Sequence, residues 1–335
     1  EKKDVATLIM RPRRFGKTLN MSMLNYFFSN QYKDDRDIFS GLYIWDREEY
    51  HMLQGSYPVI FISFADVKQG NYKDAVQKIK KIISDLYRQY RYLADYSSFT
   101  DSDKNKITGM TDRMDDVTAQ DALKDLAYFL SEYYGKNVII LLDEYDTPMQ
   151  EAYIHGYWDE FTSFMRGFLN ATFKTNPYCE RAIMTGITRV SKESVFSDLN
   201  NLVVVTTTSE QYADCFGFTE QEVMDALKCQ NMDRFKDVKA MYDGFIFGKH
   251  KDIYNPWSIC NFLDRGQLIS YWINTGSNKL IGDIIRRHPV RSKHEIEQLM
   301  AGNIVHKRIN ENVTFQYMDG DENSLWSLLL AIGYI

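Results

Sequence analysis

Long apolar runs are missing from this sequence. The longest, Val138–Leu142 and Leu328–Ile332, have the length of a strand or a helix core. A membrane-spanning helix needs ~20 such residues, so no membrane span is expected. The chain opens without a visible signal peptide. It begins abruptly, with a first strand within a few residues, and an upstream segment is expected. Cysteine is scarce. Cys179, Cys215, Cys229 and Cys260 form no CxxC pair, and no histidine pair stands at ligand spacing beside them. Neither a zinc site nor a disulfide framework is expected; the reading is of buried, reduced cysteines in a cytoplasmic protein. An excess of basic charge is also lacking. The net charge of −6 excludes a surface built wholly to coat nucleic acid, though not a local basic patch. There is no internal repeat and no low-complexity tract. At 44% hydrophobic and 26% charged, the composition shows no disorder bias. The 335 residues suffice for two domains, or for one large domain with a lid.

What is present is an alternation of apolar runs and helical periods. Residues 5–10, Val-Ala-Thr-Leu-Ile-Met, read as a buried strand. A polar loop from Arg11 to Lys17 follows, then a helix over Thr18–Phe28 with Leu19, Met23 and Phe27 at i, i+4 and i+8. Pro58–Phe64 is a second strand. The next helix carries Val76, Ile79, Ile82, Ile83, Leu86 and Tyr90 on one face. Residues 95–118 are polar, acidic and without period, and read as a long loop or insertion. A third helix bears Leu123, Leu126, Ala127, Leu130 and Tyr134 and closes at Gly135; the strand Val138–Leu142 then ends in Asp143-Glu144. A further helix presents Phe161, Phe164, Met165, Phe168 and Leu169, and strands at Ala182–Thr185 and Leu202–Thr206 complete the series. Such near-continuous apolar strands alternating with helices predict a parallel sheet covered on both faces. Beyond residue ~210 the signals turn helical. Thr219-Glu220-Gln221-Glu222 is a capping box, Asn255-Pro256 a cap with a first-turn proline, and Gly244 and Gly266 mark helix ends. The predicted division is a core over 1–210 and a mostly α-helical C-terminal domain over 211–335, suited to a lid and a linker.

Chemistry concentrates at three strand ends. Gly16-Lys17-Thr18 lies between a strand and a helix, where backbone N–H groups and a helix N-terminus make an anion site. The loop Arg13, Arg14, Phe15, Gly16, Lys17, Thr18 and Leu19 is the candidate nucleotide-binding segment. In it Lys17 reaches the β- and γ-phosphates and the Thr18 hydroxyl binds Mg2+. The usual pattern is Gly-x4-Gly-Lys-Ser/Thr; here Arg11 stands in place of the first glycine. Asp143 and Glu144 end what is counted as the third strand. There the aspartate holds Mg2+ through water and the glutamate polarises the attacking water, although a carboxylate pair can also be a solvated loop start. Thr185 ends the fourth strand, where it can sense the γ-phosphate, position the water or simply end the strand. Arg189, just beyond, fits an arginine finger acting in its own chain or a neighbour's, or a surface ion-pair residue. In this order the three elements predict an α/β P-loop NTPase of the additional-strand catalytic-glutamate (ASCE) type, with sheet order 5-1-4-3-2 flanked by helices. Its ligands are ATP and Mg2+.

The segments Arg-Pro-Arg-Arg-Phe-Gly-Lys-Thr-Leu, Leu-Leu-Asp-Glu-Tyr-Asp-Thr-Pro and Thr-Gly-Ile-Thr-Arg-Val-Ser-Lys resemble the predicted AAA-ATPase-like proteins of bacteria. So do Phe196-Ser197-Asp198-Leu199-Asn200-Asn201, Phe216-Gly217-Phe218-Thr219, Tyr242-Asp243-Gly244-Phe245 and Tyr254-Asn255-Pro256-Trp257-Ser258. The resemblance covers nearly the whole chain, and Arg11 is itself part of the family pattern. It implies an ASCE core with a helical C-terminal region. It further implies that full-length members often continue into a restriction-endonuclease-like nuclease domain. This chain ends at Gly333-Tyr334-Ile335, about where that domain would begin, and holds no nuclease motif.

The expected activity is Mg-dependent ATP hydrolysis that drives or gates a conformational change in a partner domain. Two alternatives stay open: a slow-turnover nucleotide-gated switch, against which Glu144 argues, and a regulatory module for a DNA-processing nuclease. The last draws on Arg286-Arg287-His288 with Arg291, Lys293 and His294, which also read as a solvated helix end. A homo-oligomer, the nuclease domain and nucleic acid are the partners to test, and the expected location is the cytoplasm.

Overall fold

Each of the five apolar runs forms a strand of one sheet in the computed structural model of the protein, which describes residues 5–188, 196, 199, 201–272, 282, 290–310 and 322–335. The strands are β1 (Ala6–Met10), β2 (Val59–Ser63), β3 (Val138–Asp143), β4 (Cys179–Gly186) and β5 (Leu202–Val205). They form a parallel sheet in the order β2-β3-β4-β1-β5, the order expected from the sequence. Strand β3 is buried at every position. It pairs with β2 from Val59↔Ile139 to Ser63↔Asp143, and with β4 up to Leu142↔Met184. A strand covered on both faces has no use for alternation, so Val-Ile-Ile-Leu-Leu runs unbroken until the sheet ends at Asp143.

Helices α1 (Lys17–Phe28), α2 (Glu48–His51), α3 (Tyr72–Gln89), α4 (Asp101–Gly109), α5 (Asp116–Tyr134), α6 (Thr147–His155) and α7 (Trp158–Leu169) lie between the strands in sequence. Asn71 caps α3 by accepting from the Asp74 N–H, and Asp115 caps α5 by accepting from the Thr118 N–H. Gly135 ends α5 in the left-handed conformation. The apolar faces read from the sequence for α3, α5 and α7 are the buried ones, except that Ile82 of α3 is half-buried and Tyr134 of α5 is exposed.

Two expectations change here. On α1, Leu19 is 65% and Met23 48% exposed, while Met21, with Leu24 and Phe28, packs on Val59, Ile139 and Leu141. The helix carries two apolar stripes, and periodicity alone could not say which one meets the sheet. The stretch 95–118 is not a structureless loop. Thr100 and Asp103 form a capping box that starts α4, and Ile107 is that helix's buried anchor. One anchor per helix leaves no period to read.

Beyond the sheet come α8 (Glu220–Cys229), α9 (Phe235–Tyr242), the antiparallel hairpin β6 (Phe245–Phe247) and β7 (His250–Ile253), α10 (Pro256–Arg265), α11 (Val290–Met300) and α12 (Glu322–Ile332). The capping box at Thr219, the Asn255 cap and left-handed Gly266 stand where the sequence put them. The hairpin was not anticipated, because its strands are only three and four residues long. The chain divides into two compact units. One comprises residues 1–8, 18–185 and 190–203; the other comprises 9–17, 186–189 and 204–335. The first has a core of Met21, Val59, Ile139 and Leu141. The second has one core of Val223, Leu227, Val238, Tyr254, Ile259 and Phe262, and a smaller one of Phe15, Ala213, Phe247 and Ile253. All four cysteines are free, but only Cys179 is buried; Cys215, Cys229 and Cys260 are exposed, against expectation.

Candidate functional site

The loop between β1 and α1 is held in place residue by residue. Arg11 is fully buried. Its guanidinium donates to the carbonyls of Met10 (2.9 Å), Thr206 (2.7 Å) and Tyr212 (2.9 Å). It also lies over the rings of Phe247 and Phe216, at 4.8 and 5.6 Å from their centroids. Burial draws its pKa down to about 10. The Arg13 carbonyl accepts from Asn255 Nδ2 and Trp272 Nε1, both at 3.4 Å. The Arg14 guanidinium sits 4.6 Å over the Trp257 ring. Phe15 meets Phe245 and Phe247 edge to face at 4.8 and 5.1 Å. Gly217, at φ +95°, lets that ring in: a Cβ there would stand 3.1 Å from Phe15 and 2.6 Å from Ile253.

Arg14 (φ 67°) and Gly16 (φ 75°) both take left-handed backbone. Such residues are the material of concave N–H nests that receive anions. Lys17, 6% exposed, donates from Nζ to the carbonyls of Arg11 and Pro12, both at 3.0 Å. Lys17 is thus curled over its own loop. Arg13 is half-buried, Arg14 and Thr18 are exposed, and the Leu19 side chain faces outward.

A second cluster forms at the C-terminal ends of β2, β3 and β4. Parallel pairing sets Ser63 opposite Asp143 and brings Thr185, one residue past the Leu142–Met184 pair, to its other side. Asp143 is fully buried. Its Oδ2 accepts from Thr18 Oγ1 at 2.8 Å and from Ser63 Oγ at 3.4 Å, and its Oδ1 accepts from Thr185 Oγ1 at 2.5 Å. Three hydroxyl donors therefore answer one buried carboxylate, which would otherwise carry a large desolvation cost. The Thr185 hydroxyl also accepts from the Glu144 N–H at 3.2 Å. Glu144 stands at φ 52°, and its Oε2 accepts from Thr147 Oγ1 at 3.0 Å.

The structure thus brings together Thr18, Asp143, Glu144 and Thr185 among the residues singled out in the sequence. It adds Ser63 and Thr147, which sequence reasoning missed. Each was visible only as a hydroxyl, at the end of a strand or three residues after Glu144. Arg189 lies outside the described residues, as do Arg286, Arg287, His288 and the Arg291 side chain. Lys293 and His294 are exposed, and His294 Nδ1 is 3.7 Å from Glu297.

Thr18, Asp143 and Ser63 offer hard oxygen donors, the kind Mg2+ takes. Among the described residues no group of three or more His, Cys, Asp or Glu side chains could by itself hold a metal ion. A magnesium ion bound here would therefore draw further oxygens from phosphate and water, as is usual for that ion. Among the described residues no helix is long and apolar enough to cross a membrane.

Residues 1–196 match the AAA-ATPase-like family, described as "Predicted AAA-ATPase". The chain is also similar to an uncharacterized protein in the vnfD 5'region of Azotobacter chroococcum mcd 1, with 26% identity over 296 residues. That match takes in 88% of this chain and 51% of the other, so the chain spans about half the length of this relative.

Proposed function

The chain belongs to the Predicted AAA-ATPase family, and from that premise we propose that it binds ATP with Mg2+ at the β1–α1 loop and hydrolyses it. The observation that carries the proposal is the hydrogen bond from Thr18 to Asp143. It joins the hydroxyl that follows the phosphate-loop lysine to the strand-end carboxylate where this class of enzyme holds its metal. Mg2+, held by Thr18 and Asp143, would neutralise phosphate charge. Lys17 would exchange the carbonyls of Arg11 and Pro12 for the β- and γ-phosphates. The N-terminus of α1 and the N–H groups of Arg13–Thr18 would cradle the phosphates. Glu144, aimed by its left-handed backbone and by Thr147, would take the proton of the attacking water. The buried Thr185 hydroxyl, already engaged by Asp143 and the Glu144 N–H, would hold both acids in register. Calorimetric titration with ATP·Mg on the parental protein and on Lys17→Ala tests the loop assignment, with a thermal melt to verify folding. Unchanged affinity in a folded Lys17→Ala variant would remove it.

A second reading, a slow-turnover nucleotide switch, is favoured by one contact. The Thr147 hydroxyl occupies an oxygen of Glu144, and a base tied in this way turns over slowly. Substituting Thr147 separates the two readings, as argued below.

A further inference from the structure

The Arg11 guanidinium presents an unusual charge balance. It is fully buried, yet everything that touches it is neutral: three backbone carbonyls and the faces of two aromatic rings. Among the described residues it forms no ion pair, and its Nε has no acceptor. The titratable neighbour that acts on it is Cys215, an exposed residue whose thiol is pushed above its ordinary range by partial desolvation and then by the adjacent Asp214. A buried cation without a counter-charge is costly, and most proteins pair or remove it. Burying a methionine or leucine would fill the same aromatic nest at less cost. The carbonyl of this same residue accepts from Lys17 Nζ at 3.0 Å, which ties Arg11 to the lysine of the β1–α1 loop.

We propose that Arg11 supplies fixed positive potential to the phosphate site without touching the nucleotide, and that the counter-charge missing from the protein is the polyphosphate itself. This rests on the reading of the loop as an ATP site. The low dielectric that makes the charge costly also lets its field reach further than a solvated charge would. The carbonyl and ring contacts hold the guanidinium in its nest, so the potential is in place before ligand arrives. The consequence is a dependence on ligand charge. Removing the cation should weaken a ligand in proportion to its negative charge, whereas loosening the loop would weaken every nucleotide by one common factor.

The experiment is a titration of the full chain with ATP, ADP and AMP, all free of Mg2+ so that ligand charge rises from AMP to ATP, on the parental protein, Arg11→Met and Lys17→Ala, each checked by thermal melt. Arg11→Gln, which keeps amide donors for the carbonyls, takes over if Arg11→Met does not fold. The expected result is a loss of about tenfold for ATP, a smaller loss for ADP and the smallest, about threefold, for AMP, on the order of one removed Coulomb interaction scaled by ligand charge. Equal factors for all three ligands, or no loss in a folded neutral variant, would overturn the inference and make Arg11 a purely structural anchor. Failure of the parental protein to bind ATP, or binding that Lys17→Ala leaves intact, would instead remove the ATP-site reading, and this inference with it.

Discussion

Arg14 and Glu144 both occupy left-handed backbone, which costs a non-glycine residue on the order of 1 kcal/mol. One lies in the β1–α1 loop and the other directly follows Asp143. Such strain persists where surrounding contacts over-determine it, and for Glu144 those contacts are Thr185 at its N–H and Thr147 at its carboxylate. If Thr147 aims the base, Thr147→Val should slow turnover ~10- to 10²-fold with ATP affinity unchanged, and Thr147→Ser should restore it. Faster turnover in Thr147→Val would instead support the switch reading; steady-state rates beside calorimetric affinities decide. The sequence alone carried Lys17, Thr18, Asp143 and Glu144 as candidates, because motif spacing points to them. It could not carry Ser63 or Thr147. An isolated hydroxyl gains meaning only when strand register and a turn fix what it faces.

Elements were legible in proportion to their burial. The five strands and the faces of α3 and α7 follow from runs and periods, since every turn of those helices contributes a core residue. Helix α4, with a lone buried anchor, and the hairpin β6–β7, with strands shorter than one period can establish, fall below that threshold. Two measurements probe this level. Ile140 is fully buried in β3, and Ile140→Ala should cost about 2–5 kcal/mol in denaturant unfolding. Helices α3 and α5 are tied by Asp116, which accepts from Lys80 at 2.7 Å and from the Tyr72 hydroxyl at 2.9 Å. The Lys80 bond is the main cause that holds the Asp116 carboxyl below its ordinary range. A depressed carboxyl stabilises the fold above the unfolded-state pKa, and that contribution fades as pH falls through the folded-state value. Asp116→Asn should therefore lower Tm modestly at pH 7, since the Asp116 side chain is half exposed, and leave it unchanged at pH ~2. A deficit that persists in acid would mean that the amide disturbs packing rather than charge.

At the scale of the whole molecule, the β1–α1 loop groups with residues 204–335, and Thr18, Asp143, Glu144 and Thr185 group with the sheet unit. No linear reading of the chain could have made that division, because it cuts between Lys17 and Thr18, neighbours on one helix. The mooring of Arg11, Arg13, Arg14 and Phe15 by residues between 206 and 272 arises from contacts some two hundred residues apart in sequence. The family match covers residues 1–196, and the chain accounts for about half of its relative's length. The most direct test is single-turnover hydrolysis of labelled ATP·Mg, with affinity measured in parallel, on the parental protein and on Glu144→Gln. The account predicts that both bind ATP equally and that the variant hydrolyses it ~10²–10⁴-fold more slowly. Hydrolysis by Glu144→Gln at the parental rate, or a parental protein that binds ATP and never cleaves it, would contradict it.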